Sequence, residues 1–226
     1  MKTSPETHVP LEGYGEPSWE EMLVRVRTFH EKLRKRRSVR HFSDKPVIKD
    51  VIEGCVWAAG SAPSGANHQP WYFACVGSPE KKRQIRLAAE AEERAFYAGK
   101  AGEEWLDALA PIGTDAEKPY LETAPWLICI FAQRRGGVDA GEDNKNYYIH
   151  ESVGIATGLL IAACHEAGLA TLVHTPNPMT FLNEICERPK TEKPFLILVV
   201  GHPAEDAVVP KHALKKKDLR DILGFL

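Results

Sequence analysis

A chain of 226 residues, 43% of them hydrophobic, is long enough for one sizeable core and falls short of the ~250–300 residues at which cores split. Charged residues make up 27% and sum to a formal net charge of -2, which gives no broad field for nucleic acid or anionic lipid but leaves room for a small charged ligand held by a few placed groups. The 5 cysteines are odd in number, lack C-x-x-C spacing and sit mostly in apolar segments, the pattern of reduced core thiols in a cytoplasmic protein.

Residues 1–17 are polar, with scattered prolines and glycines and no apolar run of a signal peptide, so an N-terminal arm is expected before a domain over 18–226. Ser18-Trp-Glu-Glu21 is a capping box, and Met22, Leu23, Val26, Phe29 and Leu33 recur at helical spacing, which predicts a helix through about Arg37. A second helix is predicted from about Ile48 to Ala59, closed by the loop composition of Gly60 to Gly65. Trp71–Val76 reads as a strand. Ser78 as cap and Pro79 at the first helical position open a helix to about Ala98, with a heavily charged outer face.

Lys100 to Leu109 suggests one more short helix, and Gly113 to Lys118 a mobile polar link. Trp126–Ala132 is an almost continuous apolar run, as in a strand buried on both faces. Gly136 to Asn146 reads as a loop. Tyr147 to Ala167 is a helix rich in small residues and apolar on most sides, so it belongs at a centre or a subunit interface. Strands at Ala170–His174 and Phe195–Val200 flank a short helix from Met179 to Cys186, and the tail from Val209 is basic, then apolar. No apolar stretch approaches the ~18 residues of a membrane span. Helices and strands without strict alternation predict an α+β layered fold.

Two segments carry candidate chemistry. In Arg36-Arg-Ser-Val-Arg40, guanidinium forks and a hydroxyl at short spacing suit a phosphate. The alternative is a solvated helix end whose cations complement the helix dipole. In Pro63-Ser-Gly-Ala-Asn-His-Gln-Pro-Trp71, small residues let the backbone approach a flat ligand, with Ser64 and the N–H groups of Gly65 and Ala66 as donors, or the segment is an ordinary loop. In order, spacing and residue type, together with the closing Val199-Val-Gly-His-Pro203, these segments resemble the nitroreductase superfamily of flavoproteins.

A third constellation narrows the resemblance. Glu93 and Tyr97, four apart on one helix, share a face, and Lys118 precedes the strand at Trp126. Such a trio can grip an amino-acid zwitterion; without further context the same residues read as surface decoration. The intervals are similar to those of the iodotyrosine deiodinase subgroup, with its E-x-x-x-Y on a lid helix, here within about 79–118, and a lysine further on. The resemblance implies that Glu93 takes the substrate ammonium, Lys118 and Tyr97 the carboxylate, and the Ala66 N–H the phenolate oxygen. It also implies that Thr175 hydrogen-bonds the flavin N5 and favours one-electron steps, with Val173 and His174 beside it. His174 replaces a threonine of vertebrate-like sequences, and its own role stays open. Lys216, in Lys215-Lys-Lys217, matches a basic residue that reaches the flavin phosphate, or else belongs to a solvated charge run.

What the resemblance implies as a whole is an α+β nitroreductase-like FMN-binding fold, with a mixed sheet flanked by helices in an intertwined homodimer. Arg36, Arg37, Ser38, Val39 and Arg40 would hold one side of each FMN, with Ser64 and Gly65 supplied by the other subunit. The implied reaction is reductive loss of iodide, bromide or chloride from a 3-halotyrosine, with NAD(P)H as donor directly or through a reductase. A soluble, bacterial-type enzyme without nucleic-acid or membrane partners is expected. No metal site is expected, since the histidines lack H-x-x-x-H or H-E-x-x-H spacing. A general NAD(P)H-dependent nitroreductase or flavin reductase is the main alternative, and a flavin-binding protein without turnover is another.

Overall fold

Alternation along the apolar runs decides the layers. In the computed structural model, which describes residues 8–100 and 102–226, the strands β1 (Trp71–Val76), β2 (Trp126–Gln133), β5 (Ala170–His174) and β6 (Glu192–Gly201) form one sheet in the order β1-β2-β6-β5. The first seven residues of the expected N-terminal arm, and Ala101 in the expected short helix, lie outside the described residues. The three ladders of this sheet are antiparallel, and the parallel element is the single bridge between Ser38 and Thr171. The expected mixed character is thus confined to the outer edge of β5. The Gly136 to Asn146 loop contains a small hairpin instead of being wholly irregular, with β3 (Arg135–Gly136) paired to β4 (Asn144–Lys145).

The period of two in β2 and β6 sends neighbouring residues to opposite layers. Ile128, Ile130, Leu198 and Val200 pack with α2 (Lys49–Gly60) and α6 (Ile149–Glu166), through Ile52, Val153 and Leu160. Leu127, Cys129, Phe131, Ile197 and Val199 pack on the other side, against Ile85 of α3 (Pro79–Ala95), Leu121 of α5 (Tyr120–Thr123) and Leu182 of α7 (Phe181–Ile185). The sheet is covered on both faces, so β2 and β6 are buried almost throughout.

The chain divides into two units, one through Lys35 and one over Arg36–Leu226. The first contains α1 (Trp19–Leu33), opened by the capping box in which the Glu21 N–H donates to Ser18 Oγ at 3.3 Å and the Ser18 N–H to Glu21 Oε2 at 2.9 Å. The helix stops at Leu33, short of the expected Arg37. Within the second unit the backbone from Ser38 on is extended: the Val39 N–H donates to Thr171 O at 3.1 Å, and the Ser43 N–H to His202 O at 2.9 Å. Arg36-Arg-Ser-Val-Arg40 is therefore a strand-like border of the sheet and not a helix end. That corrects the solvated-helix-end alternative.

Candidate functional site

A cavity of about 440 Å³ opens between α3, α4 (Glu103–Leu109), the segment 114–120 and the end of β5. Glu93 lies on the last turns of α3, and Tyr97 in the wide π turn Phe96–Lys100 that follows. Such a turn widens the helix by one residue and re-aims side chains, a device frequent at functional sites. Gly99 closes it at φ 138, where a Cβ would be strained.

Glu93, Tyr97 and Lys118 meet in this cavity. Lys118 Nζ lies 3.5 Å from Glu93 Oε2, donates to Thr114 Oγ1 at 3.1 Å and also donates to the Asp115 carbonyl. The Tyr97 hydroxyl donates to Thr114 O at 3.2 Å. The 113–118 link, expected to be mobile, is held by these bonds and by the Lys118 N–H, which donates to Glu90 Oε1 at 2.8 Å. Burial pushes the Glu93 carboxyl above its ordinary value, against the opposing pull of the Lys118 ammonium. Burial also raises the Tyr97 phenol.

The far wall comes from β5 and the chain beyond it. Val173, His174 and Thr175 line the cavity, and Arg40 reaches it from the sheet border. His174 stands edge-on to Tyr120, with ring centroids 6.0 Å apart. Its Nε2 is buried with no hydrogen-bond partner among the described residues. Burial first, then the Lys118 ammonium and the Arg40 guanidinium, pushes the imidazole down to about 3. It is therefore neutral at ordinary pH, a buried polar group that no described residue compensates.

Other candidates from the sequence lie elsewhere. Arg36 and Arg37 are half-buried, and the Arg37 guanidinium donates to Arg36 O at 2.7 Å. Ser38 and Arg40 border a second hollow of about 350 Å³ with residues 110–113 and 208–210. Val39 is buried in the core, as the alternation with Arg40 requires. Ser64, Gly65 and Ala66 do not line the cavity of their own chain. They form a turn against the start of α6, where the Gly65 N–H donates to Ser152 Oγ at 3.4 Å and a Cβ on Gly65 would come within 2.7 Å of Tyr147 O. Ala66, Asn67 and Gln69 hold φ of 51, 57 and 50, a cluster of left-handed non-glycine residues that costs energy. Lys216 is exposed on the tail and lines neither hollow.

Sequence reasoning passed over several lining residues. Trp105 and Leu109 face the cavity from α4, and their i, i+4 spacing was the available signal. Thr114 and Tyr120 carried none. Glu90, on the helix expected to carry a heavily charged outer face, is buried.

This covered α+β sheet with a polar cleft at one side of it defines a class whose identity the wider comparison supplies. A profile of the nitroreductase family matches residues 33–202, and the chain belongs to that family. Within it, the chain is 49% identical to the iodotyrosine deiodinase of Haliscomenobacter hydrossis, over 88% of this chain and 89% of that protein. It is 42% identical to the iodotyrosine deiodinase of Nematostella vectensis, over 96% of this chain and 82% of that one. A crystal structure of oxidised iodotyrosine deiodinase bound to FMN and 3-iodo-L-tyrosine superposes with a TM-score of 0.72 at 30% identity, covering 84% of this chain and 96% of the other.

Proposed function

We propose that this chain is an FMN-dependent iodotyrosine deiodinase, which reductively removes halide from 3-halotyrosines. The observation that carries the proposal is the Glu93–Lys118 pair, 3.5 Å apart at a cavity that Tyr97, Thr175 and Arg40 also line. An α-amino acid brings one ammonium and one carboxylate. Its ammonium replaces Lys118 as the partner of Glu93, and its carboxylate takes Lys118 with a hydrogen bond from Tyr97. A ligand with one charge alone leaves the other group unpaired in a poorly solvated place, which costs several kcal/mol at full burial and less here.

The residues present suit FMN. Arg40 and Ser38, with Arg36 and Arg37 beside them, offer phosphate donors; Val173 gives an apolar wall for a flat ring; His174 and Thr175 bring polar atoms to the same wall, and the His174 Nε2 has no partner among the described residues. Thr175 is assigned to N5; Lys216 is assigned to the phosphate by the family resemblance alone, since it lines neither hollow of its own chain. When bound, FMN supplies the electrons. Overall, two electrons and a proton turn the carbon–halogen bond into carbon–hydrogen and expel halide. The protein orients the phenolate, excludes water by closing α4 and the turn that follows α3 over the ring, and offers the Ala66 N–H to the phenolate oxygen. That N–H comes from a second copy, since the Ser64–Ala66 turn does not face its own cavity. We therefore assign a homodimer with shared sites, placed in the cytoplasm, and NAD(P)H as donor, directly or through a reductase.

The test is to reduce the purified holoenzyme without oxygen, add diiodotyrosine, and follow flavin reoxidation with iodide release. Stoichiometric iodide is expected; reoxidation by nitroaromatics with no iodide from diiodotyrosine would leave a general nitroreductase instead. Glu93→Gln should weaken halotyrosine binding by about a hundredfold, a loss typical of a buried charge pair broken on one side, while FMN stays bound. Flavin-fluorescence titration reads both, and unchanged affinity would refute the clamp.

A further inference from the structure

On α3 the residues Lys82, Arg86, Glu90 and Arg94 repeat every four positions and so share one face. Each of them reaches the segment 117–124. Lys82 Nζ donates to the carbonyls of Glu122 at 2.8 Å and Ala124 at 2.7 Å. Arg86 Nε lies 2.9 Å from Glu122 Oε1, and an Arg94 guanidinium nitrogen 3.6 Å from Glu117 Oε1. Glu90 stands between the two arginines, 3.9 Å from Arg86 and 3.8 Å from Arg94. Glu90 is 3% exposed, and its carboxylate accepts the backbone N–H of Lys118 at 2.8 Å.

A carboxylate is costly to bury, and a neutral side chain would have sufficed for packing. What this one holds is the backbone of Lys118, whose ammonium enters the cavity. Lys118 precedes Pro119, so its ψ is already confined to extended values. Glu90 fixes the N–H on the other side of the same Cα. With both ends of the residue set, the side chain has one exit, toward Glu93 and Thr114. We infer that Glu90 is a positioning residue for halotyrosine recognition, acting through Lys118, with the flanking arginines holding its carboxylate in place. The inference rests on the assignment of Lys118 to the substrate carboxylate.

The test uses the FMN-loaded enzyme and two ligands read by flavin fluorescence: 3-iodotyrosine, and 2-iodophenol, which lacks both ammonium and carboxylate. Lys118→Ala should weaken iodotyrosine by tenfold or more, about 1.4 kcal/mol or above, and leave iodophenol unchanged. Glu90→Ala should do the same, and the double variant should bind no worse than Lys118→Ala alone. Glu90→Gln, which keeps an oxygen for the N–H, should recover most of the lost affinity. Losses that add in the double variant overturn the inference, as does an equal loss for both ligands, the mark of a merely structural role. A strong Lys118→Ala effect beside a silent Glu90→Ala overturns the positioning role and leaves the proposed function standing; a silent Lys118→Ala removes the lysine assignment and this inference with it. Amide exchange in the unsubstituted holoenzyme covers a Glu90→Ala variant that fails to fold. The Lys118 N–H should exchange slowly and be slowed further by iodotyrosine, and exchange at the rate of an unstructured chain overturns the assignment.

Discussion

His174 concentrates the residue-scale chemistry, because burial and two neighbouring cations hold its imidazole neutral down to about 3, against 6.5 for a free side chain. The unfolded chain takes up that proton below 6.5, and the native chain does not. The stabilisation is therefore complete above 6.5 and is lost as the pH falls toward 3, by up to about 1.4 kcal/mol per unit. His174→Phe removes the titration and keeps a ring against Tyr120. Its unfolding midpoint should fall less than that of the unsubstituted protein between pH 7.5 and pH 5; parallel curves would show that the imidazole is not what acid attacks. Residues of this kind were partly legible in the sequence. Glu93, Tyr97 and Lys118 were singled out through the family resemblance, whose intervals survive in a string of letters, and the fold brings the three to one cavity. His174 read as packed or partly exposed rather than as an acid; that it is buried depends on neighbours such as Tyr120, 54 positions earlier in the chain.

Elements were easiest to read where one period dominated. Trp71–Val76 and Ala170–His174 match their strands end to end, because turn residues bound each apolar run. The first helix was over-extended by the basic run after Leu33, whose helical propensity loses to the bonds that draw Val39 along β5. On α3 the sequence showed heavy charge and suggested solvent, whereas Lys82 and Glu90 are buried beneath the 117–124 segment. Charge alone does not report direction; only the four-residue repeat of Lys82, Arg86, Glu90 and Arg94 hinted that one face had a partner. Lys82 is the rung that tests the element. Burial lowers its ammonium below the ordinary lysine value, yet it satisfies two carbonyls at the end of α5. Lys82→Met would leave both unpaired and should cost about 1–3 kcal/mol. Urea unfolding measures it, and a midpoint equal to that of the parent would mean that water takes over both carbonyls.

At the scale of the whole molecule, one face and one turn lack a use within a single chain. Ile155 and Leu159 on the outer face of α6 are 47% and 38% exposed, with Gly154 and Gly158 beside them. Ile222, Leu223, Phe225 and Leu226 of the tail are exposed as well. Small residues let a second helix approach closely, and apolar neighbours then gain by leaving water. The strained Ser64–Gln69 turn leans on the start of this same helix, through Gly65 and Ser152, and does not face the cavity of its own chain. Pairing through α6 would therefore do two things in one step: cover the apolar face, and carry the N–H groups of Gly65 and Ala66 to the cavity of the other copy. Charge introduced at the centre of that face separates the two effects from folding. Leu159→Glu should sediment as a monomer with an unchanged far-ultraviolet spectrum, bind FMN at least about tenfold more weakly, and release no halide. A monomeric variant that keeps FMN and full turnover would mean that each chain completes its own site, and a dimer undisturbed by the substitution would move the contact away from α6.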